Sequence, residues 1–403
     1  MKKILLTCFV LAATIYSCNK DETEVDTDAI CDTPGNDGWC FSITDFAENL
    51  GQYLGETTTG FSYSIYKEDE MKAIGSEGVS VTQQDGGPYN INASITAMNV
   101  GSTAKSLTTI ATLQLLEQNG LTPRDYIKDY LPQWWTFGDD IDAIKFEDLL
   151  THRSGFRPFY NTGLPYDAVS YNQIKQEVEN GIDYSNYYGV ANYQNINFCI
   201  LRIIIPILNG DMDKNSPLID VAADQLTIQS YMNYIKSYVV ASAGFGTDNI
   251  SCDNDQDIHY YNYYNPNDTG WLTGNECQNA GGGTLSMPSV ILGGIMARAY
   301  YTNDLLSPAM KLFMFNPTLP LGCYDNQTDV TNNWGWQFHH NGGFRNNGNP
   351  QIGKGGHACW YVFHNGITVA VSTNSYGGIE GDNRFEDIND LIEVAYDGAW
   401  SQN

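Results

Sequence analysis

The sequence predicts an α/β fold of the α+β kind, with one antiparallel sheet built from both chain ends, flanked by helices and interrupted by a long, mainly helical insert. Three observations carry this expectation. Strand-like runs occur early, at Phe61–Tyr66 and Met71–Gly75, and late, at Ala358–Phe363 and Ile367–Thr373. Between them the apolar spacing is helical, in Leu107, Ile110, Ala111, Leu113, Leu115 and Leu116 and again from Asn195 to Leu208. No internal repeat interrupts the pattern, and 403 residues with 42% hydrophobic content suffice for one large domain or two closely packed ones.

Taken in order, Lys2 and Lys3 precede an apolar segment, Ile4–Tyr16, too short to span a bilayer as a stable anchor. Ser17-Cys18 ends it, and the whole resembles a bacterial lipoprotein signal over residues 1–18, with Cys18 the lipidated residue and the lipid anchor. An ordinary cleaved secretory leader is the alternative. Lys20-Asp21-Glu22 resembles the acidic tag that sends some Gram-negative lipoproteins to the cell surface, so an outer-membrane or surface location is expected, with the periplasm as alternative. Residues 19–41 are polar and read as a flexible tether to a domain over 42–403.

Ile43–Leu54 reads as the opening helix, followed by the Phe61–Tyr66 and Met71–Gly75 hairpin across Lys67-Glu68-Asp69-Glu70. The helical insert runs roughly from 106 to 280. It contains Asp125–Leu131, the segment Phe146–Gly155, and the helix Asn195–Leu208 stopped at Asn209-Gly210. An Asn/Asp/Tyr-rich stretch over 209–280 carries one helix, Ile228–Val240. Gly281-Gly282-Gly283 leads into Met287–Tyr301, and after the two late strands an amphipathic helix covers Phe385–Trp400.

A formal charge of −27 argues against nucleic acid or an anionic membrane face as a partner. Beyond the leader lie Cys31, Cys40, Cys199, Cys252, Cys277, Cys323 and Cys359. Cys31–Cys40 and Cys252–Cys277 are the natural local disulfides of an exported chain, whereas Cys199 and Cys359 sit in apolar runs and read as buried thiols. No cysteine or histidine spacing suits a metal, so neither metal nor cofactor is expected.

The chemistry centres on Ser102 and Lys105, three apart at the start of a helix and so on one face, with Cβ atoms about 5–6 Å apart. Burial behind that helix would lower the lysine pKa, and a neutral amine there can take the serine's proton. The bland alternative is a capping serine and a solvated lysine. Ser17–Lys20 and Ser64–Lys67 share the spacing, but neither precedes a helical apolar run.

With Tyr193-Gln194-Asn195 and Lys354-Gly355-Gly356 following in order, the chain resembles the serine β-lactamase and penicillin-binding-protein superfamily, in its class C and esterase-like branch. Leu149–Gly155, Ala280-Gly281-Gly282 and Ser372-Thr373-Asn374-Ser375 also match, and the likeness spans roughly 42–400. Tyr193 is preferred over Tyr184 because it leads directly into an apolar helix. Lys354-Gly355-Gly356 is preferred over His357-Ala358-Cys359, which lacks a glycine for close approach.

The resemblance implies a β-lactamase/transpeptidase-like fold, with Ser102 as nucleophile and Lys105 and Tyr193 as proton carriers. Lys105 and Lys354 would lower the Tyr193 pKa toward the phenolate. Asn195, Lys354, Gly355 and Gly356 would bind substrate, and the backbone N–H groups of Ser102 and His357 would hold the oxyanion. Glycine at 355 removes a hydroxyl that β-lactam-binding members use. The expectation is therefore an exported, monomeric serine hydrolase cleaving an ester or amide of a small-molecule or peptide acyl substrate. A true class C-type β-lactamase or D-Ala-D-Ala-type peptidase is one alternative, and an inactive cell-surface binding protein the other.

Overall fold

A computed structural model of the chain describes residues 29–31, 38–157, 169–254, 258–265, 267–326, 335, 337–347, 349 and 352–402. The main sheet contains β1 (Gly60–Lys67), β2 (Glu70–Val81), β3 (Gln337–Arg345), β4 (Gly355–Phe363) and β5 (Ile367–Thr373). Their order is β3-β4-β5-β1-β2, antiparallel throughout. The N-terminal hairpin docks on the C-terminal strands through β1 and β5, with Ser62 opposite Ser372. β4 and β5 are largely apolar and are buried along their whole length, as strands covered on both faces must be.

The helices that frame the site are α1 (Ile43–Thr57), α2 (Ala104–Gln118), α3 (Asn195–Asn209), α4 (Ser289–Tyr301) and α5 (Ile388–Asp397). Side chains alternate across β4. Cys359, Tyr361 and Phe363 pack with Phe46, Leu50 and Leu54 of α1 and Leu391 and Ile392 of α5. Ala358, Trp360 and Val362 join the larger core formed with α2, α3 and α4. Ser42 caps α1 by accepting the Asp45 N–H at 3.1 Å.

α2 is buried on nearly every side from Ala104 to Leu116, as expected of a helix with no polar face. Its threonines stay satisfied by bonding back along the helix, Thr109 to the Lys105 carbonyl at 2.9 Å and Thr112 to the Thr108 carbonyl at 2.8 Å. A lysine in such a helix has no route to solvent except at its end.

Three expectations need correction. Part of the 19–41 tether is folded: Ala29–Ile30 and Trp39–Ser42 pair with each other, and Trp39–Ser42 also pairs with Trp400–Gln402. The Cys31–Cys40 disulfide ties this small sheet, and Phe41 is buried against the rings of Tyr396 and Trp400, at 4.7 and 5.2 Å. The domain therefore begins ahead of residue 42. The insert helix spans Asp220–Tyr234 and continues as a π-helical turn over Ile235–Val240. The strand β3 was not anticipated at all, because Gln337–Arg345 is polar and glycine-containing rather than alternating.

Cys252–Cys277 is a disulfide as expected, Cys199 and Cys359 are buried free thiols, and Cys323 is buried with its Sγ donating to the Met314 carbonyl at 3.0 Å. The leader and Cys18 lie outside the described residues.

Candidate active site

Ser102 lies in a single 3-10 turn, Gly101–Thr103, that opens α2. Gly101 adopts φ +53°, a left-handed conformation suited to glycine. Its N–H donates to Asn99 Oδ1 at 2.8 Å, and the Thr103 hydroxyl donates to the Val100 carbonyl at 2.8 Å. This turn abuts β3 backbone to backbone. A Cβ on Gly342 would fall 2.5 Å from both Ser102 N and Val100 O, so only glycine fits there.

Lys105 Nζ lies 3.1 Å from Ser102 Oγ. It donates to Asn195 Oδ1 at 2.9 Å and to the Gly282 carbonyl. Burial pushes the Lys105 pKa down to about 7. As a neutral amine it uses its two N–H groups on these two fixed acceptors, which leaves the lone pair for the Ser102 proton. Gly282 is placed by the loop at Gly281, φ +101°, whose carbonyl accepts the Thr108 hydroxyl at 2.8 Å.

The Tyr193 ring centroid is 4.8 Å from Lys105 Nζ, and its phenol lies close enough to Ser102 to feel that side chain. The residue keeps 41% of its surface exposed, but its hydroxyl end is enclosed, and burial pushes the phenol up to about 12. The expected phenolate is thus corrected. Desolvation is the largest influence, and it keeps the phenol protonated at neutral pH.

Two histidines complete the surroundings. His152, at φ +57°, packs its ring 4.3 Å from Tyr193 and 5.2 Å from Phe198. Its Nδ1 accepts the Gln194 N–H at 3.2 Å, which assigns the ring proton to Nε2. Burial, then Lys105 and His340, hold its pKa well below the usual imidazole value. His340 of β3 shares a face with Phe338 and Trp360, toward the helical core, and burial and Lys105 push it down to about 3. Both imidazoles are neutral at physiological pH. Neither was singled out from the sequence; for His152 the available signal was its place in Leu149–Gly155.

Ser102, Lys105, Tyr193 and Asn195 are thus brought together, whereas the third expected motif is not. Lys354 Nζ lies 2.8 Å from Asp268 and also donates to the Thr269 carbonyl, so its charge is engaged by the insertion rather than by Tyr193. Gly355 pairs with Arg345 and Tyr261, and Gly356 with Phe344, one strand removed from Ser102. The His357 ring faces the α5 side, stacked on Tyr376 at 4.7 Å and 3.2 Å from Glu380, and its N–H donates to Thr373 Oγ1 at 3.2 Å. It is not an oxyanion donor. The strand against the nucleophile is β3, through His340-Asn341-Gly342 with Gly343 next.

Residues 78–389 match the family model described as Beta-lactamase. The chain belongs to the beta-lactamase family. The putative penicillin-binding protein PbpX of Bacillus subtilis (strain 168) is 27% identical over 157 residues, which cover 39% of this chain and 33% of that protein. The match therefore spans about a third of that relative's length. Among solved structures, FmtA from Staphylococcus aureus superposes with a TM-score of 0.61 at 20% identity, covering 89% of this chain and 90% of FmtA. The D-amino acid amidase of Ochrobactrum anthropi SV3, complexed with L-phenylalanine amide, gives 0.62 at 14% identity, covering 87% and 97%. These likenesses show the β-lactamase/transpeptidase fold.

For a beta-lactamase-family site built on a glycine contact, Gly342→Val is a direct test. The valine is expected to drive β3 off the Ser102 turn and lower kcat/KM about 100-fold or more, measured with the substrate on which wild type is most active.

Proposed function

We propose that the chain is an exported serine hydrolase that cleaves an ester or amide through an acyl-enzyme on Ser102. The observation that carries this reading is a fully buried Lys105 amine, poised near neutrality, 3.1 Å from Ser102 Oγ. The neutral amine removes the Ser102 proton as Oγ attacks the acyl carbon, and the tetrahedral intermediate forms. The N–H groups of Ser102 and Gly343 flank the β3 contact and supply the oxyanion donors, each worth roughly 10²–10³ in rate. The protonated Tyr193 hydroxyl gives its proton to the leaving alcohol or amine and is reprotonated by the Lys105 ammonium, which returns Lys105 to its neutral form. Water then attacks the acyl-enzyme, with Lys105 again the acceptor.

Substrate preference follows from the charges. Lys354 is paired with Asp268, His340 is neutral and Gly355 has no hydroxyl, which leaves the usual anchor for a carboxylate beside the scissile bond unbuilt from these residues. This favours a neutral ester or amide over a β-lactam or a D-Ala-D-Ala-type peptide. The charged and apolar leader and two disulfides support export, with lipidation at Cys18 placing a monomer on the cell envelope.

The ranking test compares kcat/KM for a short-chain p-nitrophenyl ester, a D-amino-acid amide and a chromogenic cephalosporin. The ester or amide is expected to lead by at least about tenfold, some 1.4 kcal/mol in transition-state binding. A cephalosporin turned over fastest identifies a β-lactamase instead, and a folded protein inert toward all three identifies a binding protein.

A further inference from the structure

We infer that Tyr260, carried by the disulfide-closed insertion, is a positioning residue for the nucleophile turn, an inference that rests on the hydrolase reading of Ser102. The Cys252–Cys277 bridge closes a loop with a sequence separation of 25, and the segment inside it returns to the main sheet. Tyr261 pairs with Gly355 of β4 and with Ser375, while Tyr260 and Trp271 exchange backbone hydrogen bonds of 2.9 and 2.8 Å. The Lys354–Asp268 ion pair clamps the tip of the same loop to the start of β4.

The Tyr260 side chain is fully buried. Its hydroxyl accepts the Asn99 N–H at 2.8 Å, and the Asn99 side chain accepts the Gly101 N–H at 2.8 Å, one residue before Ser102. Its ring packs edge-on against Phe344 of β3, with centroids 4.7 Å apart and planes at 81°. Phe344 is two residues beyond Gly342, the glycine that touches Ser102 N. One side chain therefore braces both walls between which the oxyanion must sit. With Ile91, Met98 and Ile258 it forms a small apolar core of its own, separate from the two that hold the sheet. A loop serving only as surface decoration has no need of this buried link to the catalytic turn.

Tyr260→Phe keeps the ring contact and removes only the hydroxyl. It is expected to slow fluorophosphonate labelling of Ser102 and to lower kcat by about 10–100-fold, with KM, the pH midpoint and the unfolding temperature close to wild type. Asn99→Ala is expected to act on the same line, so the double variant should be no slower than the worse single one. Wild-type labelling rates in Tyr260→Phe overturn the inference, as do fully multiplicative losses in the double variant. A wild type that never labels at Ser102 overturns the hydrolase reading, and this inference with it.

Discussion

Ser102→Ala is expected to reduce hydrolysis of the preferred ester or amide by roughly 10⁵–10⁶-fold in kcat, which steady-state kinetics would read directly. The fold should survive, because the Ser102 side chain supports no core. Lys105 keeps Asn195 and Gly282 as partners in its absence. Circular dichroism and the unfolding midpoint should match wild type. Retained turnover would place the nucleophile elsewhere.

Lys105→Met, close in shape and suited to the buried position, should lower kcat/KM by about 10²–10⁴-fold, the usual worth of a general base. Its signature is the pH profile. In wild type the base must be unprotonated, so log kcat/KM should climb with unit slope as pH rises toward about 7 and then level off. His152 and His340 are held neutral well below this window, so neither adds a second limb there. Tyr193, pushed up to about 12, keeps its proton across the plateau. In Lys105→Met the limb near 7 should vanish, leaving a low, flat rate. A wild-type profile flat from pH 5.5 to 9 would contradict this assignment.

The parts of the fold that were legible in the sequence are those with strong periodicity. Ile367–Thr373 was placed to the residue, and α1, α3 and β4 within a few residues, because each is a long apolar run with a clear period. Lys105 was read as depressed by burial because the residues behind it are apolar on all sides. The Tyr193 helix start and both disulfides were likewise visible.

The third motif was misplaced for a physical reason. Gly355–Phe363 is the stronger strand pattern, but an unbroken apolar run marks a strand enclosed by neighbours on both sides. A strand that borders a cleft exposes polar groups and glycines, as Gln337–Arg345 does, and so carries little β-propensity. The tether was misjudged because the strand Trp39–Ser42 gains a partner in Trp400–Gln402, more than 350 residues away in sequence and invisible to any local reading. The phenolate expectation failed with Lys354: once that ammonium is tied to Asp268, only burial acts strongly on Tyr193.

The central claim, a nucleophilic Ser102, is tested most directly by intact-mass analysis after incubation with a fluorophosphonate and, separately, a penicillin. The wild type should gain one phosphonyl adduct, mapped by peptide analysis to the segment holding Ser102, and Ser102→Ala should gain none. Slow or absent penicillin acylation would accord with the ester or amide preference. A wild type that stays unmodified by either reagent, or an adduct that persists in Ser102→Ala, would contradict the assignment.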